Sequence, residues 1–127
     1  FNEENSVHGI MERFQQVIAD CQNNIHNQKD VAEEQECMEY VQKLLQHMQA
    51  SSPLALRAIY RLHQVGKDSA ETLESCMDRE KAVQLKLYQQ QDFATYNNNN
   101  NNNNNKSVSW KHASVNDVTD DEVEELL

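Results

Sequence analysis

The chain has 127 residues, a formal net charge of −10 and 38% hydrophobic residues. Once its asparagine tract and acidic tail are set aside, about a hundred residues are left for one small core, so the length allows at most one domain. An acidic balance of this size repels a phosphate backbone, and no Lys/Arg block exceeds a single helical turn, which argues against direct nucleic-acid binding. No run of eighteen apolar residues occurs, so no membrane-spanning helix is expected.

Ser6 is placed to cap a first helix over about 6–22, where Val7, Ile10, Met11, Phe14, Val17, Ile18 and Cys21 recur at three-and-four spacing. The amide-rich Gln22 to Lys29 reads as a linker. Asp30 with Glu33 makes a capping-box pattern for a second helix, about 30–50, with Cys37, Met38, Val41, Leu44, Leu45 and Met48 as its stripe. Glu33, Glu34, Glu36 and Glu39 crowd its first half, where the helix dipole favours acids. The third helix, about 53–65, has the clearest start, with Ser52 as N-cap and Pro53 as first helical residue. Leu54, Ala58, Leu62 and Val65 form its apolar face, widened by Ile59, while Arg57 and Arg61 sit one turn apart on the other side. Gly66 is expected to close it in a left-handed conformation.

Asp68 with Glu71 repeats the capping signature before a long fourth helix, about 69–91, striped by Leu73, Cys76, Met77, Val83, Leu87 and Tyr88. Glu80 falls within that arc, so either it is buried with a partner or the stripe bends around it. Asp92 to Tyr96 ends the helix and leads into Asn97–Asn105 (97–105), read as a disordered insertion because uniform Asn has no apolar surface to offset the entropy of ordering. In the tail, 106–127, Lys106 to Ala113 is expected to be extended or irregular with Trp110 as anchor, and Thr119 with Glu122 to cap a short acidic helix. No strand signal occurs, so the expected fold is all-α: a helical region over 1–96 with four main helices, then the insertion and the tail with its short helix.

Little in the sequence carries chemistry. Cys21, Cys37 and Cys76 form neither a C-x-x-C pair nor a disulfide ladder, and a reducing compartment fits them. His8, His26, His47, His63 and His112 lack metal-ligand spacing and read as surface or cap histidines. Two glycines, Gly9 and Gly66, cannot build a phosphate-cradling loop or a nucleophile elbow. The paired carboxylates at Glu33/Glu34 and Asp120/Asp121/Glu122 sit at helix starts, where a solvated acid is the ordinary explanation. No catalytic or metal-binding residue is therefore assigned. Arg57 and Arg61 are the candidates for gripping an anion, a carboxylate of a partner or a phosphate of a ligand, the alternative being pairing with nearby acids.

Taken together, Ser52-Pro53, Leu56, Arg57 and Arg61 look like an S-P-x-S-L-K-x-x-x-R segment, Glu80 like the Glu of an M-E-x-R-L helix, and Asp92-Phe93 like a D-F pair. Lys106, Trp110, Ala113, Val118 and Asp121-Glu122-Val123 look like a K-x-x-P-x-W, V-T-x-E-x-V tail, and Phe1 with the first helix like a C-F segment and the helix after it. In this order they resemble the C-terminal part of the 3-hydroxyisobutyryl-CoA hydrolase family, in the crotonase (enoyl-CoA hydratase/isomerase) superfamily. Ala82 departs from that pattern, standing where the family has Arg, as do Thr95-Tyr96 with the asparagines and Ser109, which replaces the Pro before Trp110.

The resemblance implies the helical part of a protein whose α/β core lies upstream, and the start at Phe1-Asn2-Glu3-Glu4, with no basic, apolar leader, is read as that of a fragment. It implies thioester hydrolysis in mitochondrial valine breakdown, with a CoA thioester as substrate of the parent protein and no other cofactor. The catalytic groups would belong to the core, and the partners would be that core, the acyl-CoA and further copies of the protein. A non-catalytic mitochondrial small-subunit ribosomal relative, partnered with the mitoribosome, and a stand-alone helical interaction module are the alternatives.

Overall fold

The computed structural model describes residues 6–26, 31–68, 70–101 and 109–127, and among them the chain is all-helical. It forms two compact units, Phe1–Ala50 and Ser51–Leu127. The sequence groups 1–96 as one helical region; the division after Ala50 arises because the first two helices use their apolar faces on each other.

In the first unit, α1 (Val7–His26) packs on α2 (Val31–Ala50). Ser6 caps α1, its Oγ accepting from the Gly9 N–H at 3.0 Å. Among the covered positions, Val7, Met11, Phe14, Ile18, Cys21 and Ile25 of α1 and Glu34, Met38, Val41, Leu45 and Met48 of α2 form one line along each helix, with Gly9, Ile10, Asn24, Gln42 and Leu44 covered beside it. Alternating steps of four and three make this a two-helix seam of coiled-coil type. Val17 and Cys37, expected in the stripes, lie on the exposed flanks instead. The helix continues past Gln22, where a linker is expected, to His26, because Ile25 prolongs the seam by one step while Gln22 and Asn23 stay exposed. The Asp30 cap lies outside the described residues.

The second unit is built on α3 (Pro53–Gly66), followed by α4 (Leu73–Tyr88), α5 (Gln91–Asn101), a 3-10 turn (Val115–Asp117) and α6 (Asp120–Leu126). Ser52 caps α3 as expected, accepting from the Ala55 N–H at 3.2 Å. Leu54 and Ala58 of α3, Val83 of α4, and Val118, Val123 and Leu126 of the tail make the core, with Leu62, Leu87 and Leu127 packed against it. Ala58 and Val83 are both 0% exposed. At that point three elements meet, and a small side chain on α3 allows the close approach.

Several local expectations are corrected. Gly66 is the last residue of α3 rather than a left-handed cap, and Lys67 and Asp68 close the end by donating to the Gln64 and Val65 carbonyls. The fourth helix starts at Leu73, not near residue 69, because Asp68 turns its carboxylate to the Ala70 N–H at 3.0 Å, leaving Thr72 and Ser75 to form the capping box. Glu71 reaches forward to Ser75 and Arg79. The buried side of α4 centres on Val83, so Leu73 and Met77 are 78% and 61% exposed, and Tyr88 and Glu80 are also exposed. Glu80 lies on the same side of α4 as Val83 and Leu87 but is exposed, lining the recess between α3 and α4 beside Cys76 and Arg79, so it is not a buried acid needing a partner.

The long fourth helix also breaks at Gln89-Gln90, and α5 runs on into Asn97–Asn101, which the sequence assigns to the disordered insertion. The break places Asp92, only 6% exposed, so that its carboxylate accepts from Ser52 Oγ at 2.5 Å and from the Lys111 N–H at 2.8 Å. Once α5 is nucleated there, each Asn costs only a fraction of a kcal/mol relative to better helix formers, about 0.7 kcal/mol at most.

Asp92 thus joins the start of α3, the start of α5 and the returning tail. Replacing it with Ala leaves two donors without their acceptor, and Asp92→Ala should destabilise the second unit by roughly 1–3 kcal/mol. Native-state hydrogen exchange should show the Lys111 amide losing protection while the amides of α1 and α2 keep theirs; an unchanged Lys111 rate would contradict the assignment.

Candidate functional site

Arg57 and Arg61 project from α3 towards the tail, on the side away from Ile59. Arg57 donates to the Val118 carbonyl and to the Asp120 carboxylate, and Arg61 Nε donates to Glu124 Oε1 at 2.6 Å. Both guanidinium groups lie against acids of α6, and the half-exposed setting keeps each pair within about 1 kcal/mol. Lys86 adds a third tie from α4, donating to the Glu125 carbonyl at 3.1 Å.

Glu122 is the most connected acid of the tail. Its carboxylate closes the expected capping box with Thr119, accepting from that residue's N–H at 2.9 Å, and also faces His112 Nε2 at 3.1 Å and Lys111 Nζ at 3.6 Å. The Thr119 N–H and then the His112 ring hold Glu122 down to about 2. His112, read from the sequence as a surface or cap residue, is buried against this carboxylate. An acid–histidine pair can activate a nucleophile, but here, among the described residues, the buried Nδ1 has no hydrogen-bond partner and no hydroxyl or thiol is positioned against it. The pair is a structural tie between the strand of tail before α6 and α6 itself. Among the described residues no three His, Cys, Asp or Glu side chains converge as a metal-ligand set.

Among the open recesses on the second unit, two have a largely apolar lining. One, of about 370 Å³, is lined between α3 and α4 by Ile59, Leu62, His63, Lys67, Cys76 and Arg79. Leu73 and Met77, one turn apart on α4, are also exposed. Arg79 is held at this edge by Glu71, whose carboxyl the guanidinium, with Ser75, keeps at about 2. The other, of about 180 Å³, is bounded by Leu54, Leu87, Tyr88, Phe93, Tyr96 and Trp110. Tyr88 and Phe93 meet with ring centroids 4.8 Å apart, and Tyr96 stacks on Trp110 at 6.4 Å. What these arrangements offer is binding surface, apolar with a polar border, of the kind that takes a partner.

The sequence singled out Arg57 and Arg61 and missed Asp92, His112 and the Glu71–Arg79 pair. Asp92 and Ser52 are 40 residues apart, and no local pattern signals such a bond. Only the capping pattern at Glu122 was visible, and it accounts for half of what that residue does.

The sign of the pH dependence follows from Glu122 and Glu71. Both carboxyls titrate lower in the folded chain than the usual 4.5, so their stabilisation is complete above that value and is lost as pH falls from 4.5 towards 2. Urea midpoints measured over this range should fall for the native chain and fall less steeply for Glu122→Gln; parallel curves would remove Glu122 from the acid response.

No curated protein and no solved structure matches the chain. The sequence profile described as enoyl-CoA hydratase/isomerase does match it, over residues 2–127, and with that coverage the chain belongs to the enoyl-CoA hydratase/isomerase family.

Proposed function

We propose that this chain is the helical C-terminal region of an acyl-CoA thioester hydrolase resembling 3-hydroxyisobutyryl-CoA hydrolase, acting in mitochondrial valine breakdown. The observation that carries the reading is the exposure of three large apolar side chains, Ile59 on α3 and Leu73 and Met77 on α4, which a family member built on an α/β core would cover with that core. The catalytic acids and the oxyanion-binding N–H groups then reside in the core, and the helices shield its substrate cleft from water. Arg57 and Arg61 serve that role indirectly. By holding α6 against α3 they keep the second unit folded, which leaves the α3/α4 face free to pack on the core.

The test uses the full-length parent protein. It should release CoA from 3-hydroxyisobutyryl-CoA, and the paired substitution Leu73→Glu with Met77→Glu should destabilise it by about 3 kcal/mol or more, since two apolar side chains lose their buried setting. Turnover should fall with it. A parent that releases no CoA and sediments with mitochondrial small ribosomal subunits is instead a non-catalytic ribosomal relative. A parent whose stability ignores the two glutamates does not cover this face.

A further inference from the structure

The first unit takes no part in the reading above, yet it holds two of the three cysteines. Because α1 and α2 follow each other and share one seam, they run antiparallel, and positions at like distances from the connection face each other. Cys21 stands five residues before the end of α1 and Cys37 six residues after the start of α2. Cys21 is 4% exposed, with its thiol against Cys37 and the Glu34 carboxylate, whereas Cys37 is open to solvent. Cys37 sits on the flank of α2 beside the seam residue Met38, so its thiol borders that of Cys21 at the edge of the seam, and a disulfide forms when the two side chains and the helix pair adjust to its geometry.

We infer that Cys21 and Cys37 are a redox modification site, at which a low-molecular-weight disulfide such as oxidised glutathione closes a reversible bridge across the α1/α2 seam. The exposed Cys37 thiolate attacks one glutathione sulfur, the glutathione S–S bond breaks, and one glutathione thiolate leaves. Cys21 then gives its proton to water and attacks the Cys37 sulfur, forming the intramolecular bond and expelling the second glutathione thiolate. Two cysteine thiols are oxidised and one glutathione disulfide is reduced to two thiols, so the electrons balance.

The division of labour follows from the surroundings. Burial, with the Glu34 carboxylate and Cys37 beside it, pushes the Cys21 thiol up to about 11, so it does not meet the oxidant first. It is instead a resolving thiol, effective because it is already next to the sulfur it must attack. Cys76 belongs to the other unit and lies against Glu71. The bridge would shut the hairpin near its connection and restrain the unfolded chain, while a reducing pool would open it again.

The experiment equilibrates the whole chain with mixtures of oxidised and reduced glutathione, quenches with N-ethylmaleimide in denaturant, and maps tryptic peptides by mass. Trypsin cuts after Arg13, Lys29 and Lys43, so the expected product is peptide 14–29 joined to peptide 30–43, two hydrogens lighter than their sum, with Cys76 alone alkylated. Cys76→Ser should give the same link, and Cys21→Ser should leave glutathione on Cys37. In urea the preference for this pairing should vanish. A stable glutathione adduct on Cys37 beside an alkylated Cys21, links to Cys76 at equal frequency, or links between chains would each overturn the proposal.

Discussion

The second unit rests on one apolar cluster in which the fully buried Ala58 of α3 and Val83 of α4 are joined by Val118, Val123 and Leu126 of the returning tail. A small residue on α3 sets the spacing, and the branched side chain of α4 fills it. Leu54 on one side and Leu62 on the other extend the same face, so that α3 acts as a rail along which both neighbours are laid. A larger side chain at Ala58 would separate all three elements at once, because interiors at this density do not absorb added volume without shifting their neighbours.

The apolar rail sets distance but not direction, and buried polar groups supply the rest. Asp92 has both carboxylate oxygens engaged, one by the Ser52 hydroxyl and one by the Lys111 N–H. The Ser52 hydroxyl that donates to Asp92 also accepts from the Ala55 N–H, so the cap of α3 and the placement of α5 depend on one another. A continuous helix from residue 69 to 91 would satisfy propensity at Gln89-Gln90 but would carry Asp92 away from these donors. The break is thus a tertiary requirement overriding a local preference.

This explains which parts of the chain were legible. The α3 start, the Thr119/Glu122 cap and the seam of α1 are local patterns, set by neighbours within four residues, and they appear where spacing places them. The stripe of α4 was misplaced because Leu73 and Met77 are apolar at helical spacing yet face solvent in this chain; periodicity identifies a greasy face without saying what covers it. His112 was read as a surface group because a single histidine in an irregular segment carries no pattern, and its burial depends on Glu122 ten residues on. The extension of α5 into the asparagines was missed for a related reason, since composition speaks to propensity and not to a helix already started by Asp92.

Charge explains what the arginines of α3 do for the chain's own tail. With a net charge of −10, the chain would repel α6, whose seven residues include Asp120, Asp121, Glu122, Glu124 and Glu125. Val123, Leu126 and Leu127 give that helix its affinity for the rail, but apolar contact alone would have to work against the field of the other acids. Arg57, Arg61 and Lys111 lie beside Asp120, Glu124 and Glu122, which removes the repulsion where it is strongest. Those cations neutralise the chain's own tail, while the side of α3 away from them carries the exposed Ile59, so charge is spent on one side of the helix and apolar surface is left on the other.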